Sequence, residues 1–249
     1  MCSSDLGGGH VVQYTFTLLM LVAWLWLASA CGARIPLTPR IALLMFAIAL
    51  VSVFLIPVIY LAYDVTSVEH RRMMTWLMEF GGGLAILPVA LAVVIGLARG
   101  RNAPAQSRPL RAALISSLVL FGVGGVIGFM IEGSNVRIPA HYHGCIVGVT
   151  LALMGLVYLL LPRLGLGAPP VKAATLQPYL YGAGQLLHVA GLVWSGGYGV
   201  QRKVAGAAQG LDTAERVVAM GLMGLGGLVA IIGGVVFLAV VARALWPRR

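Results

Sequence analysis

The sequence predicts an all-α fold: a polytopic membrane bundle of about seven transmembrane helices. Three observations predict it. The 249 residues are 60% hydrophobic and only 10% charged, a balance foreign to soluble domains of this size. The apolar residues gather into long runs, most of them near the ~20 residues that cross a bilayer core. None of these runs shows the alternation over ~10 residues that the strands of a membrane barrel carry. In lipid each run must satisfy its own backbone hydrogen bonds, and a helix does so.

In order, the runs are residues 11–30, 41–62, 74–97, 112–131, 145–161, 178–194 and 217–245. The connections are short, and no soluble domain fits between them. RNAPAQSRP (101–109) and GLGAPPVKAATLQP (165–178) are turns broken by proline. The connection 196–216 is longer and glycine-rich, the type of loop that carries function. Glycine clusters at 122–128 and 221–234 allow close helix packing or the approach of a flat ligand.

A net charge of +10 raises the question of nucleic acid, but its distribution answers otherwise. One set of connections holds Arg34, Arg40, Arg99, Arg101, Arg108, Arg111, Arg163, Lys172, Arg243, Arg248 and Arg249. The other holds Arg71, Arg72, Arg137, Arg202, Lys203 and Arg216, diluted by Asp64, Glu69, Glu132, Asp212 and Glu215. The positive-inside rule then puts the N-terminus outside and the C-terminus in the cytoplasm. No nucleic-acid partner is implied; the lipid bilayer is. Cys2, Cys31 and Cys145 have no paired spacing, so neither a disulfide framework nor a zinc site follows. Cys31 and Cys145 read as small packing residues.

The first six residues, MCSSDL, have no basic region and no cleavage pattern. They match the translation of a common sequencing adapter, and a non-native leader over residues 1–6 is expected. Residues 7–249 then form a single transmembrane domain.

Five histidines stand out: His10, His70, His141, His143 and His188. Imidazole is the commonest metal ligand, and ionisable groups at membrane depth mark function by default. IPAHYHG (138–144) places two of them either side of Tyr142. At 3.6 residues per turn, positions two apart are rotated by roughly 200°. His141 and His143 thus point to nearly opposite faces and cannot share one ion as an i, i+4 pair does. They serve two separate centres, or both are wetted at the interface.

IPAHYHGCIVGVTLALMGLVYLLLPRLG (138–165) resembles the tenth helix of subunit I of the heme-copper oxidase superfamily, which includes cytochrome c oxidase and nitric oxide reductase. The resemblance extends to FGVGGVIGF (121–129), similar to the ninth helix, and to GGYGVQRKVAG (196–206), similar to the loop before the last helix. It covers essentially residues 7–249, as helices six to twelve. It implies two hemes, with His141 on the high-spin iron and His143 on the low-spin iron. It also implies that Arg202 and Lys203 neutralise heme propionates, lysine lacking the bidentate fork of the family's second arginine. GGGHVVQYTF puts His10 and Tyr14 at the spacing of a copper-ligand histidine and its tyrosine.

Other positions depart from the family. There is no adjacent His-His pair; the matching stretch reads IPVIYLAYDVTSVEH. Asp64, His70 and Glu79 are the substitutes available, and Glu79 suits a metal, a proton-transfer role or protonation, or a place beside solvent or Arg72. Copper or non-heme iron is therefore open at this second site. The third run has no lysine for a proton channel. His188 has no counterpart in the family, and serves either proton transfer or a hydrogen bond to a backbone carbonyl. The second low-spin ligand belongs to a helix upstream of this chain. The expectation is a respiratory oxidoreductase subunit in a bacterial cytoplasmic membrane that reduces a diatomic gas. Its partners would be other respiratory subunits and a donor such as cytochrome c or quinol. A non-catalytic heme protein, or a cofactor-free structural or transport subunit, is the competing expectation.

Overall fold

A computed structural model describes residues 5–100, 104–132, 135–204 and 206–246; the side chains of residues 5–7, 10, 79, 82 and 84 lie outside that description. The described residues are helical with no strand, as the composition requires. The chain divides into two compact units, residues 1–103 and 104–249.

The first unit starts with α1 (Asp5–Ala30). A turn at Gly32, whose φ of 75° suits glycine, closes it. In α2 (Pro39–Val53) Thr38 caps the start through Ile41 N, and Pro39 occupies the first turn. The helix breaks at Phe54 and resumes as α3 (Leu55–Ala62). Pro57 causes this, having no N–H to offer the Val53 carbonyl one turn back. Ser67 caps α4 (Val68–Trp76), with Glu69 in its first turn. A π-helical turn, Leu77–Gly82, joins it to α5 (Gly83–Arg99).

A π turn frees carbonyls from the regular ladder, and side chains from α1 and α2 take them up. The Tyr14 hydroxyl donates to the Leu77 carbonyl at 2.6 Å, and the Ser52 hydroxyl to that of Gly81 at 3.3 Å. Gly81 is required at that crossing: a Cβ there would meet the Tyr14 oxygen and the Ser52 Cβ, the latter at 2.9 Å.

The second unit contains α6 (Arg108–Phe129), α7 (Arg137–Arg163), α8 (Val171–Gly197) and α9 (Ala214–Leu245). Small residues set its packing. A Cβ on Gly124 of α6 would clash with the backbone of Gly144 and Cys145 of α7, and one on Gly184 of α8 with the backbone of Ala230 of α9. Hydrogen bonds between buried groups also join its helices: the Ser117 hydroxyl of α6 donates to Gly148 O of α7 at 2.6 Å, and Tyr158 of α7 to Gln177 Oε1 of α8 at 3.0 Å. At the N-terminal end of α7, Ile127, Val136, Ala140, Val189, Leu192 and Val200 form one apolar core.

Helices occupy all of the predicted runs. Five spans among the described residues are long and apolar enough to cross a membrane: Val11–Ala30, Pro39–Ala62, Ala105–Phe129, Arg137–Arg163 and Ala214–Leu245. Two runs differ. In the third, the apolar helix is the shorter Ala85–Arg99. The sixth, α8, has 27 residues but carries Gln177, Gln185 and His188 and falls outside the five. Outward apolar side chains such as Leu61, Phe129, Ile231 and Leu238 are exposed, as a lipid-facing surface requires. The molecule is an all-α, multi-pass membrane protein.

Candidate functional site

The histidine-bearing end of the second unit is built from α6, α7, α8 and the loop that follows α8. Asn135 holds the start of α7 by accepting from Arg137 N at 2.9 Å. The Val136 N–H donates to Val200 O at 3.1 Å, and Asn135 bridges Gln201 in an antiparallel contact. The loop carrying Arg202 and Lys203 is thereby tied to the end of α7 on which His141 and His143 sit. Arg202 is half-buried and Lys203 exposed. Lys203 has a φ of 61°, a left-handed conformation uncommon outside glycine.

His141 and His143 lie in the first two turns of α7 and face different helices. His141 turns to α6, where its Nδ1 lies 2.7 Å from the Gly124 carbonyl. A carbonyl only accepts, so this nitrogen carries the hydrogen and Nε2 keeps its lone pair. Gly128 makes room for the ring, since a Cβ there would come within 2.9 Å of Nδ1. Cys145 Sγ lies 3.8 Å from the same nitrogen.

His143 is exposed and turns to α8. Its ring centroid lies 4.5 Å from that of His188, the planes tilted by 58°. His188 Nδ1 in turn lies 2.9 Å from the Met223 carbonyl of α9; a carbonyl only accepts, so Nδ1 carries the hydrogen, and in the neutral ring Nε2 holds the lone pair. Glycine again permits the approach: Gly226 packs on the His188 backbone, with no room for a Cβ. His188 therefore makes the backbone hydrogen bond the sequence allowed. Its meeting with His143 was invisible there, because the two are 45 residues apart on separate helices.

Sequence reading also passed over Arg137 as a loop charge. Its Nη1 donates to Met130 O at 3.4 Å, while Nε is buried without a partner. It packs on Gly196 and Gly197 at the end of α8. Gln185, one turn before His188, also has a buried side-chain oxygen with no donor. Polar groups so placed call for a ligand or water.

The residues expected at a second metal fall in the first unit. Tyr14 is buried, its hydroxyl bonded to Leu77 O. The side chains of His10 and Glu79 lie outside the described residues; Glu79 belongs to the π-helical turn. Asp64 is exposed and closes a turn, accepting from the Thr66 hydroxyl and, at 2.8 Å, from its N–H. Those two bonds hold its carboxyl below the ordinary carboxylate range. His70 is fully buried against Tyr60, ring centroids 4.7 Å apart, with neither ring nitrogen hydrogen-bonded. Among the described residues, no three His, Cys, Asp or Glu side chains group to hold a metal.

The fold and this constellation define a class: a multi-pass helical membrane protein with imidazoles anchored at one end of a four-helix unit. No protein-family model matches the chain. A Rickettsia prowazekii (strain Madrid E) protein, named as uncharacterized, is 27% identical over 276 aligned residues, covering 96% of this chain and 54% of that protein. An Aquifex aeolicus (strain VF5) protein, named likewise, is 26% identical over 162 residues, covering 64% of this chain and 38% of its own length. The chain thus spans about half, or less, of the curated relatives it matches.

Proposed function

We propose that the chain is part of a heme-carrying oxidoreductase subunit of the heme-copper type, passing electrons from a low-spin to a high-spin heme and reducing a diatomic gas. The observation that carries this reading is the divergence of His141 and His143 from one helix end to two different helices. Their chemistry suits the group. His141 spends its Nδ1–H on a backbone carbonyl, the usual outer-shell partner of a ligating histidine, and keeps Nε2 for a metal. When bound, heme would supply one-electron chemistry and a place for the gas to bind.

The protein's own residues do the rest. Gly124 and Gly128 orient His141 for the high-spin iron, while His143 is free of hydrogen bonds to serve the low-spin iron. The apolar core around Ala140 and Val189 packs at this end of the unit. Arg202 and Lys203, tethered to the start of α7 through Val200 and Gln201, supply positive charge for propionates. Copper or non-heme iron with His10 and Glu79, beside Tyr14, belongs to the same proposal. The lack of a His-His pair in the sequence favours a second reading, a heme protein in electron transfer or gas sensing without turnover.

The Lys/Arg asymmetry supports α1 starting outside and α9 ending in the cytoplasm; the membrane that goes with the oxidoreductase reading is the bacterial cytoplasmic one. Other respiratory subunits and a cytochrome c or quinol donor would complete the assembly. Optical spectra of the purified full-length protein test the reading. Split Soret bands, one component moving with carbon monoxide, are expected; a spectrum without heme overturns it. Metal analysis with oxygen and nitric oxide consumption then separates oxidase, reductase and non-catalytic protein.

A further inference from the structure

We propose that His188 is a positioning residue for His143: its Nε2 accepts the N–H that the His143 ring keeps when its other nitrogen serves an iron. The assignment of His143 to the low-spin heme rests on the reading above. The partnership with His188 adds to that reading, and His188 is not itself a ligand. The two rings touch, their centroids 4.5 Å apart and their planes tilted by 58°.

Donor and acceptor in the pair are complementary. His188 Nδ1 carries its hydrogen toward the Met223 carbonyl at 2.9 Å, so in the neutral ring Nε2 is the acceptor. That lone pair receives no hydrogen bond from a described residue; the ring's one bond is the one to Met223. A neutral imidazole that ligates through one nitrogen has an N–H on the other, and this N–H is normally given to a fixed acceptor. His141 has such an acceptor on α6, the Gly124 carbonyl 2.7 Å from its Nδ1. Among the described residues no carbonyl takes that part for His143; His188 stands beside it instead.

The two rings are held unequally. His188 is half-buried and pinned from α9, with Gly226 packed on its backbone. His143 is exposed, so a turn about its side-chain torsions closes the contact into a hydrogen bond and leaves the rest of the ring open. The fixed ring sets the direction in which the other points. A bond of this kind orients the ligating ring and raises its basicity, which favours ferric over ferrous iron and lowers the midpoint potential.

The test uses the full-length protein purified from membranes, with His188→Asn and His188→Gln. The Asn amide stands where Nδ1 stands and keeps a donor for Met223 O, but leaves nothing at the position of Nε2. The Gln amide reaches that position and restores an acceptor there. Heme content, the low-spin EPR signal and a redox titration of the low-spin heme are read for each. Both variants should keep the low-spin heme. In His188→Asn the ferric form should lose about tenfold in relative stability, a rise of ~59 mV in the one-electron midpoint. His188→Gln should stay within about twofold of wild type. Loss of the low-spin heme from His188→Asn alone also supports the proposal, as a ligand weakened by its missing partner. A His188→Asn midpoint within about twofold of wild type overturns the proposal and leaves the heme reading standing. Equal shifts in the two variants trace to packing and overturn it likewise. Loss of the low-spin heme from both makes His188 a ligand, against the proposal. A wild-type protein without heme overturns the underlying reading, and the proposal with it.

Discussion

The His141 ring sits against Gly124, its Nδ1 2.7 Å from the carbonyl, and is confined by Gly128 on the next turn of the same helix. A ring held this way has one orientation and one tautomer. Gly128→Ala tests it, since the new Cβ would stand 2.9 Å from Nδ1 and drive the ring off its carbonyl. Overpacking of this kind costs ~1–3 kcal/mol. On the proposed two-heme reading, the spectrum of the variant should lose the component that carbon monoxide shifts and keep the other. Loss of both components together would deny His141 a separate centre.

Gly124 and Gly144 give a purely structural prediction. A Cβ on either would run into the backbone of the opposing helix, as close as 2.5 Å to Cys145 N from Gly124 and 2.5 Å to Gly124 Cα from Gly144. Backbone gives way less easily than a side-chain tip, so Gly144→Ala should destabilise by ~1–3 kcal/mol or more. Thermal unfolding in detergent reads it. Gly125→Ala, with open space around its Cβ, is the matched control and should leave the midpoint near wild type.

Much of the fold was legible because bilayer length and hydrophobic runs constrain it directly. That His141 and His143 face different neighbours was legible too, from helical rotation alone. The π turn at Leu77–Gly82 was not, since what stabilises it comes from Tyr14 and Ser52 on other helices. Nor was the break at Phe54 anticipated. The His143–His188 meeting depends on which glycine faces which neighbour across α8 and α9, and a single sequence does not display that. Arg137 read as a loop charge because its burial comes from Gly196 and Gly197, far along the chain.

Tyr14 separates a structural from a redox role. Its hydroxyl donates to Leu77 O at 2.6 Å from a buried position. Tyr14→Phe keeps the ring and removes that bond, a loss of about 1 kcal/mol for the bond itself and up to ~3 if the carbonyl stays unsatisfied. A midpoint drop of that size with gas consumption within about twofold of wild type is the expected result for a purely structural tyrosine. A rate loss beyond about tenfold at unchanged stability would put Tyr14 among the reacting groups instead.

Asp64 gives a pH dependence whose sign is fixed by its turn. The Thr66 donors lower its folded pKa, so the stabilisation is present above the unfolded value, ~3.9. It is lost as pH falls through the folded value. The window thus lies from about pH 4 downward, and the effect is small because the group is solvent-exposed. Comparing acid unfolding of wild type and Asp64→Asn should show a shallower loss for the variant; a difference confined to neutral pH would contradict the assignment.

His70 offers the opposite sign, a substitution that strengthens the fold. The imidazole is 0% exposed and packs edge-on to Tyr60 at 4.7 Å, with Met74, Ile56 and Ile59 in the same apolar cluster. Neither ring nitrogen has a hydrogen-bond partner, and an unpaired buried polar group costs ~1–3 kcal/mol by mutational measure. The Ser67 cap on α4 uses the His70 backbone N–H, at 3.1 Å, so it survives replacement of the side chain. His70→Phe retains a flat ring for Tyr60 and discards both nitrogens. Its expected effect in detergent is a raised thermal midpoint, worth up to ~3 kcal/mol, with heme content unchanged. A lowered midpoint accompanied by loss of bound metal would make His70 a ligand, for then the nitrogens are paired in the working protein and their removal leaves a centre undone.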